Sequence, residues 1–529
     1  MMLLTNFKNP FYKLILLILI IGIFLRFINL DKKIYWHDEI YTSLHITGYL
    51  SNEWKSKLFN GQIIGINDLQ YYLHINPQKT LNDTLNVLAI DDPHHPPLYY
   101  ILVRYWRHLF GDSIIVIRSF STVMSLFVFP AIYWFCWELF QNSIIGLITI
   151  ALVAISPFYI LYAQEAREYA LWTVIILISN SWLLKAIKVT QNHHNIEPKI
   201  IRCWLIYSGL NAISLYISFV SVFIIIPQTI YTIILENFRL TKITILQGIS
   251  ILISVILFIP WIVVFICNYE QYQRSTSWTK LKIPSWEILK IFALNITRIF
   301  FAIDQEFETL LNYLSVIICL ILVGYAIFFL IKNTSIMCWG LILCLIITPI
   351  VLLVLPDLII GGIRSLSPRY LIPCFIAIDI SIAYLLGSKL IDKNTKNIKI
   401  WSIIIAIIIS GGMISSAVNS QNDTAWTKVI SYSLPEVARI INKTQSPLLI
   451  SDGNGYNSGN IMSLSYLLNP DVKLQLLSNT KDYQLPPGFK HIFLLSPSDE
   501  FRLQLEKQKG LKANFVFQDI HLNLWEIEH

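Results

Sequence analysis

Blocks of about 20 consecutive apolar residues recur through most of the chain, and they constrain its fold more than any other feature. A helix of about 20 apolar residues is long enough to cross the hydrocarbon core of a bilayer. Of the 529 residues, 55% are hydrophobic and 14% are charged, whereas about 25% are charged in an ordinary soluble domain. These figures exclude a soluble enzyme, a disordered regulator and a fibrous protein. We therefore predict a polytopic α-helical membrane protein.

The apolar blocks predict eleven membrane helices. They lie near residues 14–30, 113–137, 143–161, 170–187, 203–217, 220–235, 243–267, 311–331, 336–355, 371–388 and 400–418. The first block is long for a signal peptide, so we expect a retained first helix. With the N-terminus in the cytoplasm, the short cytoplasmic segments hold thirteen basic and four acidic residues, as the positive-inside rule requires. An odd number of helices then places the C-terminus outside.

Two long polar stretches lie on the extracytoplasmic side in this topology. We predict a membrane domain over residues 1–418, with an external loop at 31–112, and a soluble domain over residues 419–529. Short apolar runs in the tail predict a small α/β domain. The predicted strands are 447–451, 474–477, 491–495 and a pair within 514–527, and the predicted helices are 464–468 and 500–509.

A glycine-rich segment, Asp452-Gly-Asn-Gly455, lies between two predicted elements of the tail. A phosphate-binding loop would need a following Lys and Ser or Thr, which are missing from this segment. A plain turn is the favoured interpretation.

The first motif with chemical potential is Trp36-His37-Asp38-Glu39-Ile40-Tyr41, directly after the first helix. Ionisable groups at membrane depth are costly and often functional. A carboxylate there could act as a general base on a hydroxyl group. A solvated loop with interfacial aromatic residues is an equally good interpretation.

The second motif, Asp91-Asp92-Pro93-His94-His95-Pro96-Pro97, is a proline-rich turn with two acids and two histidines. Prolines fix φ and remove backbone donors, so the segment is rigid and non-helical. Aspartate and histidine are suitable ligands for a divalent cation. A structural turn is the favoured alternative.

Arginines occur in two short external loops, where they are normally avoided. One loop holds Arg167 and Tyr169, and the other, Gly361–Pro373, holds Arg364, Arg369 and Tyr370. A guanidinium group matches phosphate in a bidentate fork. The alternatives are pairing of Arg167 with neighbouring glutamates and anchoring of the later arginines at the lipid headgroups.

Taken in this order, the motifs resemble those of the GT-C glycosyltransferases. More narrowly they resemble the family 39 type, the group of protein O-mannosyltransferases and of the aminoarabinose transferase of lipid A. The resemblance rests on the acidic pair after the first helix and on the segments Asp92–Tyr100, Gln164–Tyr169 and Ser367–Pro373. It covers about residues 10–390.

The resemblance implies transfer of a sugar from polyprenyl phosphate to an acceptor hydroxyl at the non-cytoplasmic face, usually with inversion. The acceptor would be a lipid, a glycan or a protein. Asp38 matches the family's proposed base, and Glu39 would orient the acceptor or the base. The implied substrate-binding set is Asp92, His94, His95, Arg167, Tyr169, Arg364, Arg369 and Tyr370. Arg167 and Arg369 would bind the donor phosphate, and Arg364 is the weaker candidate.

We expect a multi-pass protein of the inner (plasma) membrane in contact with lipids. A nucleic-acid partner is not expected, because much of the net charge of +7 lies at membrane ends. No cofactor is certain, and a divalent cation stays open because the family is not uniformly metal-dependent.

The alternative function is a lipid or glycan transporter or flippase without transferase chemistry, and a third is a non-catalytic scaffold. The interiors of the predicted helices hold few ionisable residues, chiefly Arg26, Arg118 and Asp379. The charges concentrate on one face, which favours chemistry at the interface over transport.

Overall fold

The structure, a computed structural model, describes residues 10–302, 309–391, 395–481, 483–507 and 511–528. Lys8, Asp392 and Lys393, which enter the predicted charge bias, lie outside these residues. The described chain forms two compact units. The first contains residues 10–28, 92–99 and 118–420, and the second contains 29–91, 100–117 and 421–528. This division differs from the predicted boundary at 418/419, because most of the loop 31–112 packs with the C-terminal segment.

Helices account for most of the first unit, and the second unit combines helices with a sheet. In chain order they are α1 (Pro10–Phe27), α2 (His37–Thr47), α3 (Ser51–Leu58), α4 (Ile66–Gln70), α5 (Leu81–Asp91), α6 (Leu98–Phe110), α7 (Ile114–Leu126), α8 (Val128–Phe140), α9 (Ser143–Ile155), α10 (Pro157–Ala163), α11 (Tyr169–Gln191), α12 (Pro198–Ile217), α13 (Val222–Leu235), α14 (Lys242–Cys267), α15 (Tyr269–Ser275), α16 (Ser285–Thr297), α17 (Leu310–Asn333), α18 (Ile336–Pro349), α19 (Leu355–Ile359), α20 (Ile372–Ile391), α21 (Thr395–Gln421), α22 (Leu434–Ile441), α23 (Asn457–Leu464) and α24 (Asp499–Glu506).

Nine helices in the described part of the chain are long and apolar enough to cross a membrane. They are Pro10–Phe27, Ile114–Phe140, Tyr169–Gln191, Pro198–Ile217, Lys242–Cys267, Asn312–Asn333, Ile336–Ile359, Pro368–Ile391 and Ile398–Gln421. The bent pair α9–α10 is a tenth candidate, and Phe219–Leu235 is a shorter apolar helix. Each of the eleven predicted helices has a counterpart here, so the predicted polytopic helical fold is confirmed. In the described part of the chain, however, nine or ten helices rather than eleven are long enough to span a membrane, because Phe219–Leu235 is too short.

Helix α20 lies at the centre of the first unit. In the most apolar 18-residue stretch of the span that contains α20, 89% of residues are buried. In the corresponding stretches of α17 and α21, only 17% are buried. It packs against α9, α17 and α18. The segment that carries Arg369 leads directly into this central helix.

Polar side chains tie α11, α12 and α13 together inside the apolar bundle. The Tyr207 hydroxyl donates to Gln228 Oε1 at 2.7 Å. The Gln228 amide in turn donates to Ser179 Oγ at 3.1 Å and Asn180 Oδ1 at 3.2 Å. Ser179 Oγ donates to Asn211 Oδ1 at 2.9 Å. Such interhelical bonds satisfy polar groups that hydrocarbon cannot solvate.

The bend between α9 and α10 exposes backbone carbonyls, and Arg26 satisfies them. The two helices meet at 64°, and Pro157 has no N–H to donate to the Val153 carbonyl. The buried Arg26 guanidinium donates to Val153 O at 2.8 Å, Ala154 O at 2.5 Å and Gly22 O at 2.9 Å. An arginine near the end of α1 thus holds the bent pair in place.

A six-stranded mixed sheet forms the centre of the second unit. Its strands are β1 (Asn60–Ile64), β2 (Leu448–Asp452), β3 (Lys473–Leu477), β4 (Ile492–Leu495), β5 (Lys512–Gln518) and β6 (Asn523–Glu528), in the order β1-β3-β2-β4-β6-β5. Strands β3, β2 and β4 are parallel, while β1 and the β5–β6 pair add antiparallel edges.

This sheet confirms the predicted C-terminal α/β fold and corrects three details. Strand β1 comes from the loop after the first membrane helix and was not predicted. Helix α23 occupies 457–464, so the helix predicted at 464–468 was placed too late. Helix α22 was also missed. The core between the sheet and α24 contains Leu448, Ile450, Ile492, Leu494, Phe501 and Leu505.

Replacing Arg26 with Met should destabilise the first unit, because two buried carbonyls at the bend would lose their donor. The expected cost is on the order of 3 kcal/mol, seen as a thermal midpoint several degrees lower in detergent. Phe24→Leu on the same helix is the matched control, since Phe24 is exposed. Equal midpoints for Arg26→Met and the parent would contradict this role.

Candidate functional site

The predicted acidic pair begins helix α2 in the second unit. Asp38 and Glu39 lie in its first turn, where the helix dipole stabilises negative charge. Asp38 is half-buried, whereas Glu39 is fully buried. The two neighbouring carboxylates therefore have different surroundings, and Asp38 is the one that remains partly accessible.

Glu39 forms a buried ion pair with Lys428. Lys428 Nζ lies 3.1 Å from Glu39 Oε2, and their side chains are 1% and 0% exposed. The same ammonium group stands 5.3 Å from the centre of the Trp36 ring. A buried charge is tolerated when it is paired in this way. Lys428 is 389 positions from its partner, so no local sequence pattern identifies the pair.

His37 packs tightly against helix α23. Its backbone N–H donates to Ser431 Oγ at 3.2 Å, and Ser431 Oγ donates to Asn460 Oδ1 at 2.8 Å. A Cβ on Gly459 would lie 2.3 Å from His37 Nδ1, so the contact requires glycine. Desolvation lowers the pKa of His37 to about 4, against the opposing charge of Asp38.

The proline-rich turn brings Asp92, His94 and His95 together in the first unit. Asp92 Oδ1 lies 2.6 Å from His94 Nδ1, and Asp92 Oδ2 lies 3.7 Å from His95 Nε2. Trp261 Nε1 donates to the Pro93 carbonyl at 3.2 Å and Ser275 Oγ lies 3.4 Å from His94 Nδ1. Contacts from two other elements thus hold the turn.

These three side chains could hold a divalent cation. One ligand atom from each of Asp92, His94 and His95 lies within 4.8 Å of the others. Two imidazoles and one carboxylate are a donor set that Zn²⁺ and similar ions accept. The same contacts also make a stable hydrogen-bonded turn, so both interpretations of the motif fit the geometry.

Backbone and side-chain contacts fix the loop that carries Arg167. Gln164 Nε2 donates to the carbonyls of Leu25 at 3.0 Å and Ile28 at 2.9 Å. Ser121 Oγ donates to the Arg167 carbonyl at 3.0 Å. The loop between α10 and α11 is therefore anchored to the end of α1 and to α7.

Arg167 links the proline-rich turn to the loop between α10 and α11. One of its terminal nitrogens lies 3.4 Å from His95 Nε2, and its Nε lies 3.4 Å from Glu168 Oε2. Glu168 Oε1 is in turn 3.6 Å from His95 Nδ1. The predicted alternative, in which Arg167 pairs with a neighbouring glutamate, is thus present, and it also connects to the histidine turn.

Two arginines converge on the Tyr169 ring. The guanidinium carbons of Arg167 and Arg369 each lie 5.7 Å from its centre, and Arg369 also stands 5.5 Å from the Tyr370 ring. Tyr169 is buried, while Arg369 and Tyr370 are half-buried. Cation–π contacts of this kind hold guanidinium groups in defined positions.

Arg364 lies in a separate cluster. Its guanidinium lies 2.8 Å from Oδ1 of the buried Asp357, while Ser365 donates to Oδ2 through its N–H and its hydroxyl. Gly362 has φ of 143°, and a Cβ there would lie 2.7 Å from the Arg364 guanidinium. The backbone is irregular at Gly362, and the pair with Asp357 favours a structural role for Arg364.

The predicted site residues are thus distributed over both units. Asp38 and Glu39 belong to the second unit. The first unit brings Asp92, His94, His95, Arg167, Tyr169, Arg369 and Tyr370 into one connected cluster, with Arg364 outside it.

No protein-family model and no curated protein sequence matches the chain. In structure it is similar to ArnT from Cupriavidus metallidurans in the apo state, with a TM-score of 0.54, 11% identity and 98% of each chain covered. The structure of that protein bound to undecaprenyl phosphate gives a TM-score of 0.52, again with 11% identity and 98% coverage of each chain.

The archaeal oligosaccharyltransferase AglB from Archaeoglobus fulgidus, in complex with an inhibitory peptide and a dolichol-phosphate, is also similar. The TM-score is 0.51 at 12% identity, with 87% of this chain and 65% of that chain covered. ArnT and AglB are both GT-C fold glycosyltransferases. The chain therefore has the GT-C fold, as its motifs predict.

Proposed function

We propose that the protein is a membrane glycosyltransferase that moves a sugar from polyprenyl phosphate to an acceptor hydroxyl at the extracytoplasmic face. The observation that carries this proposal is the full-length GT-C fold, shared with an ArnT structure that holds undecaprenyl phosphate. Asp38 supplies a carboxylate that can act as a base, and Arg167 and Arg369 supply positive charge for a phosphate.

Asp38 is the proposed general base. Its carboxylate accepts the proton of the acceptor hydroxyl as the oxygen attacks C1 of the sugar. The new bond joins the acceptor oxygen to C1, and the bond from C1 to the phosphate oxygen breaks. Attack in line with the leaving group inverts C1. Polyprenyl phosphate leaves as an anion, so a strong general acid is not required.

Arg167 and Arg369 are the proposed ligands of the donor phosphate. The phosphate gains negative charge as the C1–O bond breaks, and fixed cations stabilise that charge. Their shared contact with Tyr169 supports joint action, because it holds both guanidinium groups in place before the donor binds. Tyr370 would support Arg369 in the same way.

Asp92, His94 and His95 are the proposed wall of the sugar pocket. His95 lies beside Arg167, so this turn would lie close to the donor phosphate. A divalent cation bound by these three side chains would supply further positive charge there.

Glu39 is assigned a positioning role. Its ion pair with Lys428 occupies the carboxylate and fixes the first turn of α2. The neighbouring Asp38 would then be oriented through the helix, which is how Glu39 would orient the base.

Asp38→Asn should lower sugar transfer by about 10²- to 10⁴-fold, the usual contribution of a general base, with little change in thermal midpoint. The assay follows radiolabelled sugar from polyprenyl phosphate into a membrane extract. Asp31→Asn is the matched control, because Asp31 is an exposed acid of the same unit. Equal transfer by parent and Asp38→Asn would remove Asp38 as the base.

Lys428→Met should destabilise the second unit by about 3 to 5 kcal/mol, because it leaves Glu39 buried without its ammonium partner. Adding Glu39→Met should restore most of the lost stability, measured as thermal midpoints in a double-mutant cycle. The double variant should retain measurable transfer if Glu39 is a positioning residue. Loss of transfer equal to that of Asp38→Asn would instead make Glu39 part of the chemistry.

Stability should fall as pH decreases from about 6.5 towards 4, because His37 protonates in the unfolded chain before it does in the folded one. The stability that the neutral His37 contributes is fully present above the pKa of about 6.5 that histidine has in the unfolded chain. His37→Gln should therefore flatten the dependence of the thermal midpoint on pH in this window. The exposed His108→Gln serves as control, and identical curves for parent and His37→Gln would refute the assignment.

A further inference from the structure

A polar cleft of about 690 Å³ opens in the second unit, and nothing in the proposed reaction uses it. It lies at the carboxyl ends of the parallel strands β2 and β3, where Asp452 and Leu477 end the strands. Helix α3 supplies a further wall. Ligands of open α/β sheets bind beyond the carboxyl ends of the strands, and the volume falls within the roughly 300 to 1,000 Å³ typical of small-ligand sites.

The side chains that line the cleft are mostly amides and hydroxyls. Four are asparagines, among them Asn52, Asn454 and Asn479, and four are serines or threonines. Each of these groups can both donate and accept a hydrogen bond, as can every hydroxyl of a sugar. Such a lining suits a ligand that carries many hydroxyl groups.

The positive and negative side chains among the described residues of the cleft lining are equal in number. Lys55 and Lys481 are matched by Asp452 and Glu500. An anion site would need an excess of positive charge, and a cation site would need free carboxylates. The balance favours a neutral ligand.

Asp452 organises one wall of the cleft. Its buried carboxylate accepts hydrogen bonds from Asn457 Nδ2 at 2.9 Å, from the Asn454 N–H at 3.2 Å and from Asn454 Nδ2 at 2.8 Å. These bonds set the turn 452–455 and orient the Asn454 amide. Phe59 and Leu477 add an apolar surface, against which the C–H faces of a sugar ring can pack.

Helix α23 connects the cleft with the start of α2. Ser458 lines the cleft, and the next residue, Gly459, contacts His37. Asn460 accepts a hydrogen bond from Ser431, the hydroxyl that receives the His37 N–H. The wall of the cleft and the helix that carries Asp38 are thus parts of one packed structure.

We propose that this cleft is a saccharide-binding site for a neutral oligosaccharide. Resting on the proposed function, it holds the glycan portion of the acceptor while a hydroxyl of that acceptor reacts at Asp38. The site belongs to the second unit alone, so its binding can be measured separately from transfer.

The test uses the full-length Asp38→Asn protein in lipid nanodiscs on an array of neutral and phosphorylated oligosaccharides from cell-surface glycans. Retention of neutral oligosaccharides is expected. Ser56→Trp, which fills the cleft from an exposed position on α3, should weaken retention at least tenfold. The pair Asn52→Ala with Asn479→Ala should do the same, while Asn67→Ala, an exposed asparagine on α4, should not.

Thermal midpoints show whether each variant is folded. The proposal is overturned if the array retains no neutral oligosaccharide, if retention survives both cleft variants, or if the phosphorylated oligosaccharides alone are retained. Binding without transfer by the parent protein would leave the cleft assignment standing and would overturn the proposed function instead.

Discussion

Backbone carbonyls at the bend between α9 and α10 lie inside an apolar bundle, where only other protein groups can donate hydrogen bonds to them. The packing of the first unit depends on the donors that reach these carbonyls. Arg26 supplies two of the donors, and Ser416 Oγ supplies a third to Ile155 at 2.8 Å. Gln164, at the end of α10, donates hydrogen bonds in the opposite direction, to carbonyl groups at the end of α1. The position of the loop that carries Arg167 therefore follows from hydrogen bonding that the membrane makes obligatory.

The second unit depends on pairing between distant parts of the chain. Strand β1 extends the sheet of the C-terminal segment, and Lys428 neutralises Glu39. The loop after the first membrane helix and the C-terminal segment are therefore a single folded unit. The proposed base is part of the second unit, which has its own sheet and core, and the proposed phosphate ligands are part of the first unit, which contains the long apolar helices.

The sequence predicts the membrane helices well, because their length and composition are set by the bilayer. It also predicts the five strands of the tail, where short apolar runs are bounded by turns. Strand β1 was not predicted, because Asn60–Ile64 has only two apolar residues and is largely exposed. The ion pair of Lys428 with Glu39 was not predicted, because no local sequence pattern identifies a partner 389 positions away. The resemblance already ranks Arg364 below Arg369 as a phosphate ligand, and the ion pair with Asp357 supplies the physical reason, which the sequence does not reveal.

Transfer from a lipid-linked donor is tested most directly by donor choice, measured on the purified protein in lipid nanodiscs. Radiolabelled sugars would be offered either on undecaprenyl phosphate or as nucleotide sugars, each with the same membrane extract. If the proposed function is right, we expect label in an acceptor from the lipid-linked donor and none from the nucleotide donor. Label from the nucleotide sugar, or movement of the intact lipid across the bilayer without transfer, would contradict it.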